Sequence, residues 1–254
     1  GKIATVQNTA NGTININTKK SVGMYGQNKA TNVTDVDLQN LGTININNQG
    51  SAGIYAPKTN ISKVGTIKMK SSTDSDGSSA VYVSEGGKVA DTTTGAIDLG
   101  TINQNRVAYY VNGANSSLAG NDIGKITGYG VGVYLEGSNT KYTTIGTAKL
   151  DSTSPKLHYK NSIYGTSGNG IIGLFLSGST EIKNYTNGII VGDTIPEDPN
   201  ITGDIKKYAI GIYADKQGVT VTPYQINTSI KAGKEGVGIF SDNNSVIDYK
   251  GHIE

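Results

Sequence analysis

The sequence predicts an all-β fold, a right-handed parallel β-helix, and three observations predict it. Two phrases recur as a pair: "NGTININTKKSVGMYG" at residues 11–26 returns as "LGTININNQGSAGIYA" at residues 41–56. Within each phrase, residues alternate with period two, the signature of a strand rather than of a 3.6-residue helix. Between the phrases lie Asn, Asp, Ser, Thr, Gly and Lys, mostly residues with a local reason to leave a strand.

Taken in order, the first phrase is Gly, any residue, then an aliphatic. It stands at Gly12-Thr13-Ile14, Gly42-Thr43-Ile44, Gly65-Thr66-Ile67, Gly95-Ala96-Ile97 and Gly124-Lys125-Ile126, with looser copies from Gly146, Gly203 and Gly251. Ile14 and Ile16 alternate with Thr13, Asn15 and Asn17, and Ile44 with Ile46, Ile67 with Met69 and Ile97 with Leu99 follow suit. The second phrase ends in an aromatic: Tyr25, Tyr55, Tyr82, Tyr110, Tyr134, Phe175, Tyr213 and Phe240. Two residues before each sits Gly or Ala: Gly23, Gly53, Ala80, Ala108, Gly132, Gly173, Gly211 and Gly238. Val22 with Met24, Ala52 with Ile54, Val131 with Val133 and Ile172 with Leu174 share one parity, and the small residue and the aromatic share the other.

Neighbouring aromatics are 30, 27, 28, 24, 41, 38 and 27 residues apart. Such periods signal a solenoid. About three short strands fill most of them. A propeller blade of about 40–50 residues does not fit. Eight units stacked at about 4.8 Å make a rod on the order of 40–50 Å long. The expected core is Ile14, Ile16, Ile44, Ile46, Ile54, Ile97, Leu99, Val133, Leu174, Ile212 and Ile239.

Composition agrees. The hydrophobic fraction is 35% of 254 residues, and the mean hydropathy is -0.32. That is poor for a globule but sufficient for strands that bury only one face. Thirty-five Gly and 5 Pro suit tight turns between continuous ladders. A net charge of +2, from 22 basic and 20 acidic residues, makes no case for nucleic acid. Arg106 is the lone Arg, so forked readers of phosphate or acidic glycan are not indicated. With no Cys there is no disulfide framework. The longest apolar runs, such as "IIGLFL", are too short to span a membrane as a helix. Both ends read as repeat strands, so residues 1–254 are expected to form one β-helix domain, a slice of a longer protein. Inserted loops are expected at about 148–170 and 192–203.

The pairing of "GTINI" with "GIYA", Asn- and Gly-rich joints and absence of Cys resembles passenger domains of type V autotransporters, large adhesins of the fusobacterial kind. The resemblance spans Gly12 to about Ile253. It implies a bacterial cell-surface or secreted β-helix that adheres to a host cell-surface protein or glycan, or to another bacterial surface. From the residues themselves, no catalysis, cofactor, metal, nucleic-acid partner or membrane insertion of this segment is expected. The alternative is a passive stalk presenting a distant binding tip. A polysaccharide-degrading β-helix enzyme ranks below both, because no carboxylate pair recurs on a common strand, and His158 and His252 lie in different units.

Four features are candidate sites. The eight aromatics would point outward as a ladder, either as a platform for sugar rings or, the favoured reading, as stacking between units. The insertion at 148–170 carries Lys156, His158, Tyr159, Lys160 and Tyr164, a composition compatible with a protein or glycan contact. The turn at 192–204 holds Asp193, Glu197, Asp198 and Asp204, oxygen ligands in type but in no defined calcium-loop spacing, and "STDSDGSS" at 72–79 is similar. A solvated turn is the favoured reading for both.

Overall fold

The structure, a computed structural model, describes residues 4–28, 36–70, 77–90, 95–100, 106–113, 115–119, 126–137, 140–144, 148–151, 171–178, 180–182, 188–192, 209–215 and 224–254. Among them every regular element is a β-strand and none is a helix. Successive strands enter three parallel sheets in rotation. Ala4–Asn8 joins the first, Thr13–Ile16 the second and Val22–Tyr25 the third. Val36–Asn40, Thr43–Ile46 and Ala52–Pro57 then add one strand to each in the same order, as do Asn60–Lys63, Thr66–Met69 and Ser79–Ser84. The described strands give the three sheets seven, eight and eight members. Tyr224–Ile226 pairs separately with Ile247–Tyr249, again in parallel. Parallel strands in stacked sheets are consistent with a β-helix or other solenoid.

The "GTINI" phrase builds the second sheet and the aromatic phrase the third. Each stacks on its own kind: Ile14 pairs with Ile44, Ile44 with Ile67, Ile67 with Ile97 and Ile97 with Ile126. Of the expected core, nine residues are buried, and Ile14 and Ile239 are partly buried against them. The first sheet adds Leu38, Ile61, Val89 and Leu118, and Tyr109 and Tyr129 also lie inside. Polar stacking accompanies the apolar. Buried Asn8 donates through Nδ2 to Asn40 Oδ1 at 2.8 Å, and Asn40 Nδ2 donates to the Val64 carbonyl at 2.6 Å. On the outside, Asn45 and Asn47 donate to Asn15 and Asn17, each at 2.8 Å.

One orientation differs from the simple alternation. The residue two before each aromatic faces inward, not outward. Ala80 and Ala108 lie in the core. A Cβ on Gly211 would sit 2.3 Å from Ile230 Cγ2 and 2.6 Å from the Gly238 carbonyl; one on Gly173 would sit 2.5 Å from Ile189 Cγ2. The third-sheet ladder skips this residue in every unit: Met24 pairs with Ile54 and Val22 with Ala52, while Gly23 and Gly53 are unpaired as partners. The strand kinks there and turns two successive residues inward, as an irregular strand residue does. The residue is small because it abuts the second sheet's isoleucines, not because rings lie over it. The residue three before each aromatic, aliphatic in every unit except at Ser79, faces outward in consequence. Ile172 and Ile210 pack with Tyr213, Val131, Phe175, Val237 and Phe240 in a cluster separate from the main core.

Gly211→Ala is expected to lower stability by about 1–3 kcal/mol, because the backbone carbonyl in its way cannot rotate aside. Equilibrium urea unfolding measures the loss, and an unchanged midpoint would refute the inward placement.

Candidate functional site

The aromatics of the second phrase line up along the third sheet. Rings of adjacent units meet along the third sheet in an unbroken series. Centroid separations are 5.7 Å for Tyr25–Tyr55, 4.8 Å for Tyr55–Tyr82, 4.7 Å for Tyr82–Tyr110 and 4.9 Å for Tyr110–Tyr134. They continue at 4.6 Å for Tyr134–Phe175, 4.7 Å for Phe175–Tyr213 and 5.3 Å for Tyr213–Phe240. Five of the seven pairs are stacked, within 24° of parallel. In-register strands bring this about, since Tyr55, Tyr82, Tyr110 and Tyr134 are direct pairing partners. Tyr82, Tyr110 and Tyr213 are stacked on both sides, so both faces of these rings are covered. There the ladder offers a partner ring edges and hydroxyls rather than an open face for a sugar. Tyr25 is 51% exposed and Tyr213 is 4% exposed, and the other six rings are partly buried.

Two residues after each aromatic runs a second outward column: Gln27, Pro57, Ser84, Asn112, Glu136, Ser177, Asp215 and Asp242. Tyrosine hydroxyls reach into it. Tyr25 donates to Gln27 Oε1 at 2.8 Å, Tyr213 to Asp242 Oδ2 at 3.3 Å, and Tyr110 to Glu136 Oε2. Asn112 Nδ2 donates to the Tyr110 hydroxyl at 3.0 Å and to Glu136 Oε2 at 3.1 Å. Ser84 donates to the Tyr55 hydroxyl at 3.3 Å. Beside Phe175, which has no hydroxyl, the next unit's Asp215 accepts instead from Asn243 Nδ2. Burial pushes the Glu136 carboxyl above the ordinary carboxylate range. The Tyr82 hydroxyl is raised by burial first, then by Tyr55 and the Glu136 and Glu85 carboxylates, and Tyr134 is raised chiefly by burial. Tyr224, whose hydroxyl donates to the Gly178 carbonyl at 2.5 Å, is pushed up to about 12 by burial and then by Asp215.

A recess of about 630 Å³ opens beside Tyr55 and Tyr82, walled by Lys58, Glu85, Asn112 and Asn115. Unequal turns create it. Asn60, Lys88 and Ser117 are in register, as are Tyr55, Tyr82 and Tyr110. Five residue steps lead from Tyr55 to Asn60, six from Tyr82 to Lys88 and seven from Tyr110 to Ser117. Between fixed ends, the extra residues bulge outward and overhang the shorter turn. Lys58, Glu85 and Asn115 take the left-handed conformation there, at φ 50°, 54° and 62°.

The insertion candidates Lys156, His158, Tyr159, Lys160 and Tyr164 lie outside the described residues, as do Asp193, Glu197, Asp198 and Asp204. Among the described residues no three His, Cys, Asp or Glu gather as metal ligands would. Arg106 is fully buried and donates through Nη1 to the Leu99 carbonyl, so its guanidinium is not on the outer face. The polar column and the recess were not singled out by the repeat. The column was readable at a fixed offset from each aromatic. The recess was not, because it depends on register.

Tyr134→Phe should change stability by less than about 1 kcal/mol, since stacking survives loss of one partly exposed hydroxyl. Tyr134→Ala should lower it by about 1–4 kcal/mol. Urea unfolding of the two variants separates stacking from hydroxyl roles. Raised tyrosines also predict an alkaline limit. Their folded state holds protons that the unfolded chain releases near the ordinary value of 10.0, so their stabilising contribution is complete below that pH and falls as pH rises toward 12. Ultraviolet titration of tyrosinate should show a late-titrating class that shrinks in Tyr224→Phe.

Compared with protein-family models, with curated proteins and with solved structures, the chain finds no match.

Proposed function

We propose that the chain is a right-handed parallel β-helix that works as a surface-exposed, non-catalytic adhesin segment of an autotransporter passenger. On this reading it attaches a bacterium to a host cell-surface protein or glycan, or to another bacterium. The observation that carries the proposal is the outer face of the third sheet. There an aliphatic, an aromatic and a polar column run side by side from unit to unit. Such a face is amphipathic and held rigid by the ladder beneath it. That composition resembles protein contact surfaces, in which aromatics anchor and a polar rim orients. A stalk reading is favoured by one observation: regular units repeat nearly the same surface, which gives a partner little reason to prefer one of them.

The insertion at 148–170 breaks that sameness and is the favoured contact loop. Its first residues, Ala148–Asp151, are a strand of the second sheet, with Leu150 paired to Ile126 and Asp151 to Thr127. The strand after it, Ile171–Ser177, pairs in register with Gly130–Glu136, from Gly130 with Ile171 to Glu136 with Ser177. Replacing residues 152–168 with a short Gly/Ser linker should therefore spare the fold. Beads coated with the 254-residue chain should capture host or bacterial cells, and beads coated with the linker variant should capture fewer. Absence of capture by the intact chain would favour the stalk. Full capture by a folded linker variant would move the contact to the third-sheet face.

A further inference from the structure

We infer that the recess beside Tyr55 and Tyr82 is a binding site for an acidic saccharide, one whose sugar ring bears a carboxylate. The inference rests on the adhesin reading and gives it a ligand class. The volume of about 630 Å³ falls within the range of small-molecule sites, roughly 300–1,000 Å³. The recess is built by register, since its overhanging turns are fixed at both ends by paired strands.

The walls select the ligand. Tyr82 is stacked on both sides, at 4.8 Å by Tyr55 and 4.7 Å by Tyr110. Its negative faces are hidden and its electropositive edge remains. A cation finds no open ring face here, so cation–π capture is not available. Oxygen atoms meet ring edges and hydroxyls favourably. Lys58 is the one cationic side chain lining the recess, and it is exposed with no ion pair among the described residues. It supplies the partner for a carboxylate. Glu85 and the Asn112 carbonyl oxygen present acceptors to sugar hydroxyls, and Asn115 presents amide donors. The Glu85 carboxylate on the same wall opposes a doubly charged phosphate and tolerates a singly charged carboxylate beside Lys58.

Titration calorimetry of the 254-residue chain tests this with two acidic probes, 3′-sialyllactose and trigalacturonate, and two neutral ones, lactose and maltotriose. Sialic acid and uronate carry the same chemistry from different sources, and the two acidic arms tell them apart. At least one acidic probe should bind saturably, and the neutral probes should bind at least about tenfold more weakly. Lys58→Asn should weaken the acidic probe at least about tenfold. Asn accepts the left-handed backbone found at Lys58, so this exposed position should keep its fold, which the melting midpoint verifies. Glu85→Asn, at a second left-handed position, should weaken the neutral probes more than the acidic one, because it removes a hydroxyl acceptor and a like charge together. No saturable acidic binding up to about 10 mM, equal affinity for neutral probes, or an unaltered Lys58→Asn affinity would each overturn the assignment. The bead assay reports separately. Cell capture without sugar binding removes this site and leaves the adhesin reading. Sugar binding without cell capture leaves the site and removes adhesion.

Discussion

In-register pairing of each strand with its counterpart in the next unit is the constraint on which everything else depends. It places like residue upon like residue at the spacing of hydrogen-bonded strands, about 4.8 Å. A residue type that stacks well on itself is thereby favoured at its position all along the chain. Isoleucine does so inside the second sheet, asparagine does so along buried and exposed amide ladders, and tyrosine does so outside the third. A repeated apolar contact and a repeated hydrogen bond arise from the same register. The repetition visible in the sequence is the trace of that register.

The same constraint explains where variation is allowed. A position facing its own kind changes only to something that still packs, as when Phe175 meets Tyr134 edge-on and stacks on Tyr213. The inward small residue is held tighter still, by backbone and isoleucine contacts on two sides. Corners are free, because closing a longer loop between fixed ends adds little, about 0.6 kcal/mol per doubling. The 41-residue spacing from Tyr134 to Phe175 leaves their strands in register. Chemical individuality therefore collects at the turns, and the recess between Lys58 and Asn115 is a product of that freedom.

Legibility in the sequence followed the same lines. The second sheet was plain, because Ile14, Ile16 and their counterparts alternate cleanly against Thr and Asn. The outward aromatics were plain too, since one ring ends each unit. Orientation of Gly23, Gly53 and their counterparts was not, because period two assumes an unbroken pleat and gives no sign of a kink. First-sheet strands such as Asn60–Lys63 and Lys88–Val89 each bury a single aliphatic, too few for any period to show. The recess stayed hidden because a turn's length has meaning only against the turn beneath it.

The parallel stacking has a mechanical consequence. Backbone hydrogen bonds between units lie along the direction in which units are added, so a tension applied that way loads each unit boundary in series. Every boundary then carries the same force, and failure begins at the weakest of them. Each unit touches chiefly its neighbours, so detachment of one need not unravel the rest at once. At each boundary the ring contact, the isoleucine contact and the ladder of carbonyls must part together. Such a chain yields stepwise under load, lengthening by a unit at a time and dissipating work while the remainder stays folded.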